Sequence, residues 1–314
     1  MRVAIVGAGA MGSIFGAAFA RAGLDTTLVD TDRALVEHLR AHGLVVARNG
    51  DEPVAWPTAT TDPAEVGPVD LVLFLVKCYA TQAAAELARP LVGARTVVAS
   101  LQNGWGNADV LAGVFDPRRL VLGVTYHSGT VTGRGRVSHT GVGATFIGPH
   151  RDADLSVCDE LLSAIRATGM EVSARADVEV VIWQKLILNA AVLPTSALTR
   201  LPISPLAERP VGDVVDTLAR EAVAVARAAG HPIELEERLE TIHRILAGAG
   251  MGKASMLQDV EAGRRTEIDV INGAVIRAAE RHGIDVPVNR ALFALVKGVE
   301  RARELSDPAS PRAS

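Results

Sequence analysis

Apolar positions run along this chain in two rhythms. In the first they come as short unbroken stretches that alternate with helical periodicity. Arg2 to Val6 predicts a buried strand, Gly7-Ala8-Gly9-Ala10-Met11-Gly12 opens a helix ending at Gly23, and Thr26 to Val29 predicts a second strand closed by Asp30. Helical Arg33 to His42, apolar Leu71 to Val76, helical Thr81 to Leu91 and apolar Thr96 to Ser100 continue the alternation. Such an order of strands and helices builds a parallel, doubly wound sheet of the Rossmann kind.

From Leu120 to Gly148 the pattern turns β-rich and glycine-punctuated, with Gly133-Arg134-Gly135 as a turn, so antiparallel members are expected to join the sheet. A helix over Ala153 to Ala167 and a strand about Glu171 to Ser173 follow. Beyond Ala176 the second rhythm begins: long Ala-, Val- and Leu-rich helical runs, broken at Pro202, Gly230, Gly250 and Gly283. Pro194 is expected to interrupt the first of them. The predicted class is thus α/β, a Rossmann domain over 1–175 followed by an all-helical domain over 176–314. Residues 306–314 lack an apolar face and are expected to be a disordered tail.

Composition narrows the function. The chain has 314 residues, 48% of them hydrophobic, and 32 basic against 36 acidic residues for a net charge of -4. With no Lys/Arg block, a nucleic-acid partner is not expected, and small molecules become the default. Val3 to Ala20 carries no charge and ends in Ala18-Phe19-Ala20, which imitates an export signal, but its ordered glycines have a better account as a nucleotide loop. No other segment suggests a membrane span. Cys78 and Cys158 lie far apart, offering neither a disulfide framework nor a metal cluster, and a cytoplasmic location fits them.

The loop Gly7-Ala8-Gly9-Ala10-Met11-Gly12 sits between a strand and a helix. Its glycines permit a tight turn, close approach to a diphosphate, and helix-to-strand packing. Asp30, closing the next strand, suits the ribose hydroxyls of an adenosine and repels a 2′-phosphate, so NAD(H) is favoured over NADP(H), with Arg33 the residue that could argue otherwise. Ligands of open α/β sheets lie beyond the carboxyl ends of the strands, where Lys77 and Gln102-Asn103-Gly104 stand; a surface lysine and an Asn-Gly turn are the plainer readings.

Lys185 and Asn189 share one face of the apolar helix opened by Trp183. A lysine there either snorkels to water or is a desolvated ammonium tuned for proton transfer. Thr266 to Asp269 reads as a helix start, with Thr266 as the N-cap, Asp269 at the third position and Glu267 in the exposed first turn. His38 and His42 have metal-ligand spacing without the carboxylate of an HExxH arrangement and read as a solvated helix face, so no metal is expected. His127 stands as a reserve acid or base.

Taken with GAGAMG, the stretches LVKCYAT, QNGWG, GVTYHSG, WQKLILNA and SMLQDVEAGRRTEIDVINGAVIRAAERHGIDVP make the chain resemble the ketopantoate reductase (2-dehydropantoate 2-reductase) family nearly end to end. The resemblance implies a second domain like that of 6-phosphogluconate dehydrogenase, an active site in the interdomain cleft, and reduction of a 2-oxo acid to an (R)-2-hydroxy acid. It implies Lys185 as general acid assisted by Glu267, Asn103 and Lys77 beside the nicotinamide and its ribose, and Asn189 and Ser255 on the substrate. Typical members carry a basic residue where this chain has Asp30, and asparagines where it has Leu193 and Ile203. An NAD-dependent D-2-hydroxyacid dehydrogenase of the D-mandelate type, with Leu193 against a more apolar substrate, is therefore the alternative within the family. A nonenzymatic dinucleotide sensor is the alternative of another class, and Lys185 and Glu267 speak against it. The apolar helices of the second domain are compatible with a homodimer.

Overall fold

The computed structural model describes residues 1–151 and 153–306. Two compact units emerge: Met1–Gln102 with Gly106–Glu179, and the chain from Val180 onward with Asn103–Trp105. In the first, β1 (Arg2–Val6), α1 (Ala10–Arg21), β2 (Asp25–Val29), α2 (Arg33–His42), β3 (Leu44–Ala47), β4 (Val54–Ala55) and β5 (Thr58–Thr60) are followed by β6 (Leu71–Phe74), α3 (Thr81–Leu87), β7 (Val97–Ser100) and α4 (Asn107–Ala112). Then come β8 (Leu120–Thr125), β9 (Ser128–Gly133), β10 (Arg136–Gly141), β11 (Thr145–Pro149), α5 (Asp159–Ala167) and β12 (Val172–Ala174).

The main sheet has the order β12-β11-β8-β7-β6-β1-β2-β5. From β5 to β8 its strands are parallel, in the order of a Rossmann sheet with the switch point between β1 and β6. Alternate residues of these strands enter two different cores. Val3, Ile5, Leu71 and Leu73 pack with Phe15 and Phe19 on one face, and Ala4, Val6, Val72 and Phe74 pack on the other. That is why the strands are apolar throughout.

Of the expected antiparallel members only β11 joins this sheet, beside β8. β9 and β10 instead form a second sheet, ordered β4-β3-β10-β9. The Ser128-Gly129-Thr130-Val131-Thr132-Gly133 strand is largely exposed and has no apolar face to place in a two-sided core. The strand expected to reach Val76 stops at Phe74, and the carbonyl of Val76 accepts from Gln102 Nε2 at 2.8 Å instead. The helix expected to reach Leu91 ends at Leu87, and Pro90 lies in a 3-10 turn, Arg89–Leu91. The helix expected from Ala153 begins at Asp159, after a 3-10 turn at Leu155–Cys158. The export-like stretch is folded here as β1 and α1, with Phe15 and Phe19 fully buried.

The second unit is helical: α6 (Val178–Thr199, whose first two residues cluster with the first unit), α7 (Val211–Ala228), α8 (Leu235–Gly248), α9 (Ser255–Glu261), α10 (Asn272–His282) and α11 (Pro287–Ser306). α6 is apolar on nearly every side because Leu186, Ile187, Ala190 and Ala191 all enter one core with residues of α7, α8 and α10. Among the described residues it alone is long and apolar enough to cross a membrane, and 78% of its most apolar window is buried inside the protein.

Contrary to expectation, Pro194 does not interrupt α6. The proline withholds one N–H, and Asn272 Nδ2 donates to the orphaned carbonyl of Ala190 at 3.0 Å. Thr266 does not start an α-helix either. Its N–H and hydroxyl both donate to Glu300 Oε1 at 2.7 Å, and only a 3-10 turn, Ile268–Val270, follows before α10. Asp269, expected as a helix-start acid, pairs with Arg265 and Lys297. Ser306, assigned to the tail by its sequence, is the last residue of α11, and the rest of the expected disordered segment, 307–314, lies outside the described residues.

Candidate active site

The glycine loop folds as a cradle at the switch point of the sheet. Gly7 has φ +99°, and a Cβ on it would stand 2.8 Å from the Val76 nitrogen. One on Gly12 would stand 1.8 Å from the Gly7 carbonyl oxygen, so α1 lies directly against the turn. Gly9 differs: its missing Cβ faces space with no atom within 4 Å. No side chain caps α1 and no acid lies in its first turn, so Ala10 and Met11 present a helix N-terminus to that space. The residues therefore fit a dinucleotide diphosphate. Asp30 borders the same loop, its Oδ2 accepting from the Ala8 N–H at 2.7 Å and its Oδ1 from the Asp32 N–H at 3.0 Å. Arg33 is exposed at the start of α2.

Lys77 follows β6 at its carboxyl end, at the head of a short 3-10 turn. Gln102, which the sequence placed beside Asn103 without a role of its own, latches this edge. Its Nε2 donates to Val76 O and to Thr81 Oγ1, both at 2.8 Å, while its Oε1 accepts from Ser100 Oγ at 2.9 Å. Its position two residues beyond a parallel strand was the available signal.

In the helical unit Lys185 donates from Nζ to Asn103 Oδ1 at 3.0 Å. Burial pushes the Lys185 ammonium down to about 8, and the attraction of Glu267 pulls it part of the way back. Glu267 is 7% exposed, not the exposed first-turn acid its sequence suggested, because the Thr266 to Asp269 turn is held down by Glu300 and Lys297. With its oxygen committed to Lys185, Asn103 turns its amide N–H groups the other way, as donors. The Asn103 segment is itself fixed by backbone: Trp105 N–H donates to Val270 O at 2.9 Å, and a Cβ on Gly104 would stand 2.5 Å from that oxygen.

Of the other residues singled out in the sequence, Asn189 is buried one turn beyond Lys185, and Ser255 is exposed as the first residue of α9. Leu193 belongs to the core, and Ile203 packs against that core. Trp105, Trp183 and His231 form an aromatic cluster that spacing did not reveal, with His231 stacked on Trp183 at 5.3 Å. His127 packs edge-on to Phe15 of α1 at 6.0 Å, its Nδ1 3.1 Å from His139 Nε2; burial, His139 and Arg48 push its ring below the ordinary histidine range. Among the described residues no group of three or more His, Cys, Asp and Glu could hold a metal, and the His38 and His42 rings lie 4.8 Å apart.

A Rossmann sheet with an open diphosphate cradle, joined in one chain to a helical unit that carries a desolvated lysine beside a carboxylate, defines an oxidoreductase of the nicotinamide-dependent class. Known proteins narrow this further. The family profile for ketopantoate reductase PanE/ApbA matches residues 3–152, and that for its C-terminal domain matches residues 177–300. The chain belongs to the ketopantoate reductase family. It is similar to the 2-dehydropantoate 2-reductase of Halobacterium salinarum, 35% identical over 96% of this chain and 99% of that one. A PanE/ApbA family ketopantoate reductase from Ralstonia eutropha superposes with a TM-score of 0.88 at 35% identity, over 97% of this chain and 100% of that one. D-mandelate dehydrogenase, solved with NADH and anilino(oxo)acetate, superposes with a TM-score of 0.92 at 25% identity, over 96% of this chain and 99% of that one.

Proposed function

We infer that this protein reduces a 2-oxo acid to an (R)-2-hydroxy acid, as a reductase of the 2-dehydropantoate type. The observation that carries this is Lys185, desolvated, seated on Asn103 and paired electrostatically with Glu267. A bound reduced nicotinamide supplies the hydride for the carbonyl carbon. Lys185 gives the proton to the carbonyl oxygen as negative charge develops there, so the ammonium stabilises the transition state more than the ground state. Asn103 orients Nζ, and Glu267 keeps it protonated near neutral pH. Asn189 and Ser255 bind the substrate's polar groups. Gly7 to Gly12, Lys77 and Asn103 hold the dinucleotide.

The cofactor is NADH in preference to NADPH. Asp30 supports this: its charge sits on the loop at 2.7 Å from the Ala8 nitrogen, where a 2′-phosphate would be repelled. The apolar Leu193 and Ile203 support a second reading within the family, an NAD-dependent D-2-hydroxyacid dehydrogenase acting on a substrate more apolar than ketopantoate. The structural similarity to D-mandelate dehydrogenase agrees with it. The dinucleotide domain runs over 1–175 and the substrate domain over 176–314, in a cytoplasmic homodimer whose Cys78 and Cys158 are not joined in a disulfide.

Lys185→Ala tests the assignment. Loss of the positioned acid lowers kcat by roughly 10² to 10⁴, while the dissociation constant for the dinucleotide, measured by fluorescence, stays within about twofold. Unimpaired turnover in the variant rejects the role.

A further inference from the structure

A proline inside a helix leaves one carbonyl, four residues back, without its donor. In α6 that carbonyl belongs to Ala190, one residue past Asn189, so the missing bond separates the turns bearing Lys185 and Asn189 from the rest of the helix. Helices kink at such points because the ladder is open there. Here it is closed from outside. Asn272 Nδ2 donates to Ala190 O at 3.0 Å and to Asn289 Oδ1 at 3.0 Å, from a side chain with no exposure.

The direction of this amide is determined. Asn289 sends its own Nδ2 to Glu221 Oε2 at 2.8 Å and to Leu218 O at 3.3 Å, so its Oδ1 can only accept. Glu221 in turn accepts from the Val288 and Asn289 N–H groups at the start of α11, both at 2.9 Å. Asn272 thus faces two acceptors and must present its NH₂ to both. Its Oδ1 is buried with no hydrogen-bond partner among the described residues, a cost accepted to deliver the donors. Asn272 also lies five residues past Glu267, separated from it only by the Ile268–Val270 turn and Ile271. One side chain therefore closes the proline gap beside the lysine turn and begins the helix that follows the glutamate.

We propose that Asn272 is a positioning residue: it replaces the N–H that Pro194 withholds, and so holds the Lys185 turn of α6 in register with the segment bearing Glu267. It touches neither substrate nor cofactor. Its consequence for turnover rests on Lys185 acting as the acid; its effect on α6 does not.

The test is a cycle of Asn272→Ala, Pro194→Ala and the double variant. Asn272→Ala lowers kcat about tenfold or more with little change in dinucleotide affinity, since small misplacements of a catalytic group are costly. It also lowers the melting temperature by roughly 5 °C and speeds amide exchange in the turns around Ala190. Pro194→Ala restores an N–H at the gap and leaves kcat within about twofold of wild type. In the double variant kcat and the amide exchange of α6 return close to those of Pro194→Ala alone. The melting temperature returns only in part, because Asn289 Oδ1 still lacks its donor. A purely structural Asn272 would not separate these readouts. A double variant as slow as Asn272→Ala, with α6 still exchanging fast, overturns the proposal, as does a double variant that fails to fold. If wild type reduces no 2-oxo acid, the proposed function fails by itself, and the exchange rates still decide the role of Asn272.

Discussion

A lysine in an apolar helix is costly to charge, and Lys185 meets that cost with one amide oxygen and one nearby carboxylate. The consequence is a pH dependence of known sign. Burial depresses the Lys185 ammonium to about 8, so in the reductive direction kcat is full below that pH and falls as pH rises through it, while the oxidative direction gains there. Glu267 raises the value, so Glu267→Gln moves the falling limb to lower pH. A limb that stays in place would show that another group titrates. Lys185 was legible because an isolated charge in an apolar run demands an explanation. The burial of Glu267 was not, since it depends on Glu300, 34 residues beyond Thr266, drawing that turn down. Leu193 was legible as an apolar departure, but not as a member of the core. Leu193→Asn shifts the ratio of kcat/KM toward ketopantoate over an alkyl 2-oxo acid by up to about tenfold, the worth of one modest hydrogen bond. The ratio is internal to one preparation, so the stability lost by placing an amide in the core does not affect it. An unmoved ratio removes Leu193 from the substrate's surroundings.

Among elements, the loop between β1 and α1 separates folding from binding. Gly12 is required by packing, as its Cβ would meet the Gly7 carbonyl oxygen, whereas Gly9 has an ordinary φ of -68° and open space before it. Gly9→Ala should therefore keep the melting temperature of wild type yet weaken the dinucleotide about tenfold or more, by titration calorimetry, while Gly12→Ala loses both. Equal affinity in Gly9→Ala and wild type would place the diphosphate elsewhere. The parallel strands were readable from their unbroken apolar runs, because both faces of that sheet are covered. The second sheet was not, for strands as polar as β9 take their partners from topology. Helical continuity through Pro194 was also beyond local pattern: the donor that repairs the gap comes from Asn272, 82 residues on from Ala190.

For the whole molecule, the change of rhythm from short apolar runs to long helical ones marked a two-part chain, but not the membership of Asn103–Trp105, which cluster with the helical unit through the backbone of Val270. As one enzyme, the two parts have an activity that can be read directly. Purified protein is given ketopantoate, and separately 2-oxo acids with alkyl or aryl side chains, each with NADH and with NADPH, and the hydroxy acid formed is matched to the nicotinamide oxidised. The expected result is stoichiometric reduction, a higher kcat/KM with NADH than with NADPH, and faster reduction of the apolar 2-oxo acids than of ketopantoate. Binding of the dinucleotide without turnover of any 2-oxo acid would contradict it.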